Sequence, residues 1–311
     1  MPDIITITLN PAVDKTYIVD GLVPEHKLRC ANPVVEAGGG GINVSKGLKE
    51  LGLSSEAVFF AGGRNGSQLS EILQREGIEC KGVTIEGETR ESLVIIDKPT
   101  NKEYRIVVEG PSIDGAAFHE IIKLIESEKP GWIVASGSLP KGLPEDAYAT
   151  IATTAKRIGS KLVVDTSGAA LKFALTQGVY LMKPNLRELS NLTGIHPLKQ
   201  DLVVPSAQKL IFDGKAEVVV VSMSSAGAVV VTRDMYQHIP SPEVEQRSTV
   251  GAGDSMVSGM VWALHQNKSL KEMISWGVAC GSAATMNTGT KLFRKDDAEK
   301  LFAMIREKAL I

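Results

Sequence analysis

Trp132-Ile-Val-Ala-Ser136, a run of helical spacing over 144–158, and Lys161-Leu-Val-Val-Asp165 together read as one strand–helix–strand unit. Both strands are apolar at nearly every position, which suits a parallel sheet covered on both faces better than a sheet with one wet face. Working outward, the apolar runs 4–9, 57–61, 180–183 and 218–222 have the same character. Between them lie helix-spaced segments at 42–51, 68–76, 116–128, 186–193 and 206–212. Such alternation predicts βαβ units and an α/β fold with a mainly parallel central sheet between helices. The last third, at 253–264, 271–286 and 296–308, reads as helices. Two segments differ. Residues 15–35 and 89–108 alternate apolar and polar, as in Leu93-Val-Ile-Ile-Asp97. They predict antiparallel strands with one exposed face, a small separate sheet lying as a lid over the strand ends. One domain over 1–311 is expected, with lid strands inserted at about 14–35 and 89–108.

The 311 residues are 43% hydrophobic and 23% charged, which is ordinary for a globular chain able to bury a large core. Thirty-four basic and 36 acidic residues give a net charge of -2. That balance offers no basic face for nucleic acid or a membrane surface. Three scattered cysteines, Cys30, Cys80 and Cys280, lack metal spacing and fit reduced thiols. No secretory signal and no apolar span of membrane length is seen, so a cytoplasmic location is expected.

In open parallel sheets ligands bind beyond the carboxyl ends of the strands, and the chemistry is sought there. Ser248-Thr-Val-Gly251-Ala252-Gly253-Asp254 precedes a helical run. Free N–H groups and the helix dipole at such a start stabilise an anion, and Asp254 can accept a hydroxyl proton. The same letters also describe a glycine turn capped by Asp. Glu36-Ala-Gly-Gly39-Gly-Gly-Ile-Asn43 puts four glycines before another helix. It matches neither the P-loop nor the dinucleotide fingerprint, and a flexible loop is the plainer alternative. Asn43 offers both a donor and an acceptor to sugar hydroxyls. Lys183-Pro-Asn185-x-x-Glu188 places two oxygen-bearing side chains on one face of a starting helix, a set suited to Mg²⁺ or to an ordinary Pro-Asn turn. Lys183 is placed to approach nucleotide phosphates. Lys27, Arg29 and Arg90 fall within the lid segments; such residues bind phosphate or simply stay solvated. Asp14, after a turn, can accept bonds from sugar hydroxyls.

Together these motifs resemble the PfkB (ribokinase-like) carbohydrate kinase family from end to end. The glycine run is similar to its first signature and 248–254 to its second. Ser136-Gly-Ser138-Leu-Pro140, Asp165-Thr-Ser-Gly168 and 183–188 are similar to its phosphosugar branch. The resemblance implies a ribokinase-like three-layer α/β/α sandwich with a small β lid. It implies ATP-dependent phosphorylation of fructose 6-phosphate to fructose 1,6-bisphosphate, a glycolytic step. A 1-phosphofructokinase or tagatose-6-phosphate kinase is the near alternative, and a sugar-phosphate sensor the non-enzymatic one. By resemblance Asp254 is the base, and Gly251, Ala252 and Gly253 hold the transferring group. Asp14, Gly39, Asn43 and Ser138 hold the sugar; Lys27, Arg29 and Arg90 hold its phosphate. Lys183, Asn185, Ser222 and Ser224 lie on the ATP side, with Asn185 and Glu188 toward Mg²⁺. Ser248, Val250, Ala284, Asn287, Gly289 and Lys291 match positions for a monovalent cation, K⁺. A homodimer joined through the lids is also implied. One departure is Ser222-Met-Ser224, where the family pattern ends Ser-Leu-Gly.

Overall fold

A computed structural model describes residues 2–308. In chain order it runs β1 (Ile4–Thr8), β2 (Ala12–Val19), β3 (Val34–Gly38), α1 (Gly40–Glu50), β4 (Glu56–Ala61), α2 (Gly63–Arg75) and β5 (Glu79–Thr84). Then follow β6 (Arg90–Asp97), β7 (Lys102–Val107), α3 (Gly115–Glu128), β8 (Trp132–Ser136), α4 (Ala147–Ile158), β9 (Lys161–Asp165), α5 (Gly168–Ala174) and β10 (Val179–Met182). The rest is α6 (Leu186–Thr193), α7 (Val203–Phe212), β11 (Ala216–Ser222), β12 (Ala228–Val231), β13 (Tyr236–Ile239), α8 (Ala252–His265), α9 (Leu270–Thr285) and α10 (Lys295–Lys308).

The large sheet has the order β13-β12-β11-β10-β9-β8-β1-β4-β5. It is parallel from β5 to β11, and β12 and β13 add an antiparallel edge. Successive side chains feed opposite layers. Ile133 and Ala135 of β8 enter one core with Ile121, Tyr148 and Leu171; Trp132 and Val134 enter the other with Val257, Met260 and Ile274. This double burial is why the strands were unbroken apolar runs. In the second layer α8 and α9 approach so closely that a Cβ on Gly259 would lie 2.6 Å from Trp276 O.

The small sheet has the order β3-β2-β6-β7. Its outer pairs are antiparallel, and its central pair is parallel, Ala12–Val19 running beside Arg90–Asp97. The central strands come from distant segments, so no hairpin forces them to be antiparallel. Regular strand occupies less of the first lid segment than the alternation implied. Between β2 and β3, residues 20–33 carry only an isolated bridge from Val19 to Cys30; Gly21 at φ +103, Pro24 and Glu25 at φ +61 turn the chain out of a strand path. One face of the sheet, with Asp14, Thr16 and Glu103, is turned toward the body. On the other face Leu93 pairs with Ile106 and Ile95 with Tyr104, an apolar row on which Ile106 is 50% exposed. Among the described residues no helix is long and apolar enough to cross a membrane.

Candidate active site

The glycine run seats the start of α1 directly on the carboxyl ends of β1 and β8. A Cβ on Gly39 would come within 2.6 Å of Thr8 Cγ2, one on Gly41 within 2.5 Å of Ile7 O, and one on Gly40 would overlap Ser136 Oγ. Gly39 also holds φ +121, a conformation that side-chain-bearing residues rarely adopt. Thr8 Oγ1 accepts a hydrogen bond from Ile42 N at 2.9 Å and fixes the first turn. The next residue, Asn43, is thereby aimed at α8. Its Nδ2 donates to Asp254 Oδ2 at 2.8 Å.

Asp254 sits in the first turn of α8, where backbone N–H groups lack helical acceptors. Gly251, in the left-handed conformation at φ +70, turns the chain into that helix. Burial, followed by the charge of Asp165, pushes the Asp254 carboxyl up to about 7, against the pull of Asn43 and Lys183. Lys183 is almost wholly buried beyond β10, with Nζ 3.2 Å from Asp165 Oδ1. A Cβ on Gly253 would lie 3.5 Å from that ammonium, so the charge faces the α8 turn. Burial opposes the ammonium, but Asp165, Glu188 and Asp254 outweigh it, and the Lys183 pKa rises. The lysine therefore stays charged beside the 251–254 turn.

Across the cleft, Asp14 of β2 lies against Gly38, where no side chain would fit. Burial lifts its carboxyl to about 6, opposed by Arg90 and then Lys46. Arg90 is anchored by Asn10 O at 3.0 and 3.2 Å and by Val108 O at 3.2 Å. Asn10 Nδ2 donates to Ser138 Oγ and to Glu109 O, each at 3.1 Å. The Ser138 loop is itself held at Gly137 O, which accepts from Tyr148 Oη and Thr166 Oγ1, each at 2.7 Å. Beside Arg90 opens a cavity of 720 Å³ lined by Asn65, Glu88, Gly110 and Ser112. A larger groove of 1110 Å³ lies at the opposite ends of the strands, where Lys161 rests over Trp132 and Tyr180; it gathers none of these residues.

A family model for pfkB family carbohydrate kinases matches residues 3–296. The chain belongs to that family. It is 40% identical to the ATP-dependent 6-phosphofructokinase isozyme 2 of Escherichia coli (strain K12) over 98% of this chain and 99% of that protein. Its fold matches phosphofructokinase-2 from Escherichia coli in complex with fructose-6-phosphate at a TM-score of 0.93, with 38% identity, over 98% of this chain and 100% of that one. The same enzyme in complex with potassium matches at 0.93 with 39% identity, over 98% and 100%.

Within this pfkB family chain the cleft brings Asp14, Gly39, Asn43, Arg90, Ser138, Lys183 and the 251–254 turn together. The other sites named from the sequence fare differently. Lys27 and Arg29 are exposed on the 20–33 loop, and among the described residues no hydrogen bond or ion pair joins them to Arg90. Asn185 and Glu188 form a reciprocal capping box on α6: Asn185 Oδ1 accepts from Glu188 N and Glu188 Oε2 from Asn185 N, each at 2.9 Å. The ordinary helix start and the oxygen pair are thus both present, with one Glu188 oxygen left over. Ser222 adjoins them, its N donating to Pro184 O at 3.0 Å. Ser248 Oγ and Gly289 O lie 3.2 Å apart, and the N–H groups of Arg247 and Ser248 both donate to Thr285 O. Val250 N donates to Ser248 Oγ, Ala284 O accepts from Asn287 N at 3.1 Å, and Asn287 Nδ2 donates to Leu292 O. Lys291 is exposed, and its ammonium cannot be an oxygen ligand.

Sequence reasoning gave Asp165 no role, although it ends a strand, where functional groups were sought. Glu103 was missed outright, being one charged residue among several in an alternating strand. Ser224 has φ +53, the left-handed region that glycine adopts without cost. This is the position at which the family pattern has Gly. A non-glycine residue there costs about 1–2 kcal/mol, partly offset by the greater freedom of an unfolded glycine. Ser224→Gly should therefore raise the thermal midpoint by about 2 °C in a calorimetric scan. A lower midpoint would show that the Ser224 side chain contributes more than its backbone costs.

Proposed function

We propose that this kinase transfers the γ-phosphoryl group of ATP to the 1-hydroxyl of fructose 6-phosphate, giving fructose 1,6-bisphosphate and ADP. The observation that carries the proposal is Asp254, held by Asn43 at the start of α8 with its carboxyl raised to about 7. A base with a pKa near neutrality is partly ionised there and still strong enough to take a hydroxyl proton. As the proton passes to Asp254, the sugar O1–Pγ bond forms and the bond from Pγ to the β–γ bridging oxygen breaks. The N–H groups of the 251–254 turn and the Lys183 ammonium face the place where phosphoryl charge collects. Asp14, Gly39, Asn43 and Ser138 position the sugar, and Arg90 meets its existing phosphate, joined by Lys27 and Arg29 from the 20–33 loop. A positive phosphate subsite of this kind favours a sugar that already carries one phosphate. The chain's likeness to 6-phosphofructokinases over nearly its whole length supports fructose 6-phosphate over fructose 1-phosphate or tagatose 6-phosphate.

Lys183, Asn185, Ser222 and Ser224 form the nucleotide side. The uncommitted Glu188 oxygen fits Mg²⁺, which leans on few protein groups and would neutralise charge on the nucleotide phosphates. Ser248 Oγ and the carbonyls around 284–289 form a neutral oxygen set that fits K⁺; Lys291 can add only its carbonyl. The partly exposed apolar row on β6 and β7 supports a homodimer joined through the lids.

The kinase should show its highest kcat/KM with fructose 6-phosphate among the three phosphosugars; a higher value for either of the others would overturn the substrate assignment. Asp254→Asn should lower kcat by roughly 10²–10⁴-fold while calorimetric sugar-phosphate binding persists. A sensor would keep its cellular role in that variant. The pH profile has a definite sign. The base works when deprotonated, so kcat/KM should climb through pH 7 and fall about tenfold per unit on the acid side. Because the folded carboxyl holds its proton above the unfolded value of 3.8, charging it weakens the fold as pH rises from about 4 to 7. Asp254→Asn should accordingly stabilise the protein more at pH 8 than at pH 4. Sedimentation at micromolar concentration should give a dimer, and Ile106→Glu a monomer with its fold intact. A wild-type monomer would remove the lid interface.

A further inference from the structure

Glu103, on the outer strand β7, reaches across from the small sheet to the body behind the anion-binding turn. Its Oε2 accepts from Ser248 Oγ at 3.1 Å, and its Oε1 accepts from Gly289 N at 3.2 Å. Only 15% of its side chain is exposed, and the one cation paired with it among the described residues is Arg105, at 3.5 Å on the same strand. Two further lid strands touch the same loop. Thr290 Oγ1 donates to Glu36 of β3, and buried Thr16 of β2 faces Gly289, with its Oγ1 lacking any partner.

Ser248 connects this contact to the chemistry. Its Oγ accepts from Val250 N at 3.2 Å, and Val250 precedes Gly251 of the turn. The hydroxyl has one proton and two acceptors in reach, Glu103 Oε2 at 3.1 Å and Gly289 O at 3.2 Å. A carboxylate is the stronger acceptor. With the lid in place the proton belongs to Glu103, and Gly289 O keeps its lone pairs free. Were the lid withdrawn, Gly289 O would be the acceptor left to that proton. One hydroxyl thus has two acceptors in reach, and the position of the lid would decide between them.

We propose that Glu103 is a positioning residue that latches the lid to the Ser248–Gly289 loop, so that closure over the sugar sets the turn carrying Asp254. The catalytic consequence rests on the kinase reading above; the latch itself does not. Asp14 and Arg90 ride on the same sheet as Glu103, so the latch holds the sugar side and the anion side in one register. It also governs whether Gly289 O is available to a cation.

The test uses Glu103→Gln, which keeps the shape, Glu103→Ala, and Lys102→Gln as a control on the exposed side of the same strand. In the ligand-free protein, amide hydrogen exchange should rise together in 102–107 and 286–290 for Glu103→Ala, less for Glu103→Gln, and not for Lys102→Gln. The KM for fructose 6-phosphate should increase about tenfold in Glu103→Ala, the scale of one lost charged hydrogen bond, with KM for ATP and the thermal midpoint nearly unchanged. Faster exchange confined to 102–107 would overturn the latch. So would a fall in thermal midpoint accompanied by equal losses toward both substrates, since that marks a merely structural contact. If the protein proves inactive on fructose 6-phosphate, the substrate assignment fails while the exchange result still decides the latch.

Discussion

The site depends on one close approach: the backbone of 39–41 lies on the ends of β1 and β8 with no room for a side chain. That contact fixes where α1 begins, and the start of α1 fixes the direction of Asn43. Asn43 in turn holds the carboxylate that opens α8, a helix from the far end of the chain. Any side chain at 40 or 41 would lift α1 from the sheet and move Asn43 away from Asp254. The glycines are therefore a steric requirement of the fold before they are a loop for a ligand.

Charge arranges what sterics bring together. Asp165, Asp254 and Asp14 share one cleft with Lys183 and Arg90; beyond burial, Asp165 and then Asp14 raise Asp254, while Glu36 adds to the rise of Asp14. The result is graded: Lys183 stays cationic, Asp254 is raised to about 7, and Asp14 to about 6. A site that handles phosphates needs fixed positive charge beside a base that is neither permanently charged nor permanently neutral. Burial alone would favour the neutral form of Lys183, Asp254 and Asp14 alike.

Much of the fold was legible because buried parallel strands advertise themselves: Trp132–Ser136 and Lys161–Asp165 stand where their apolar runs ended. The small sheet was legible as strands but not in its pairing, since alternation reports which face is wet and not which neighbour is parallel. In the site, signatures located the 39–43 and 251–254 segments, but spacing could not separate a cap from a ligand at Asn185 and Glu188. The structure shows the cap and leaves an oxygen over. Asp165 and Glu103 were invisible for a simpler reason: each acts through a partner distant in sequence, Lys183 in one case and Ser248 with Gly289 in the other.

The parallel pairing of β2 with β6 has a kinetic consequence. Ala12 meets Arg90, so the middle of the small sheet cannot zip until β3, α1, β4, α2 and β5, which separate the two strands in sequence, have been synthesised. Such long-range closure carries a large loop entropy and is late in assembly. The half of the large sheet from β8 to β11 rests on sequential βαβ neighbours and forms from nearby partners. During synthesis the chain thus passes through a stage in which β2 has only β3 beside it, and the row of backbone groups on its other edge is open to misassociation until β6 emerges to cover it.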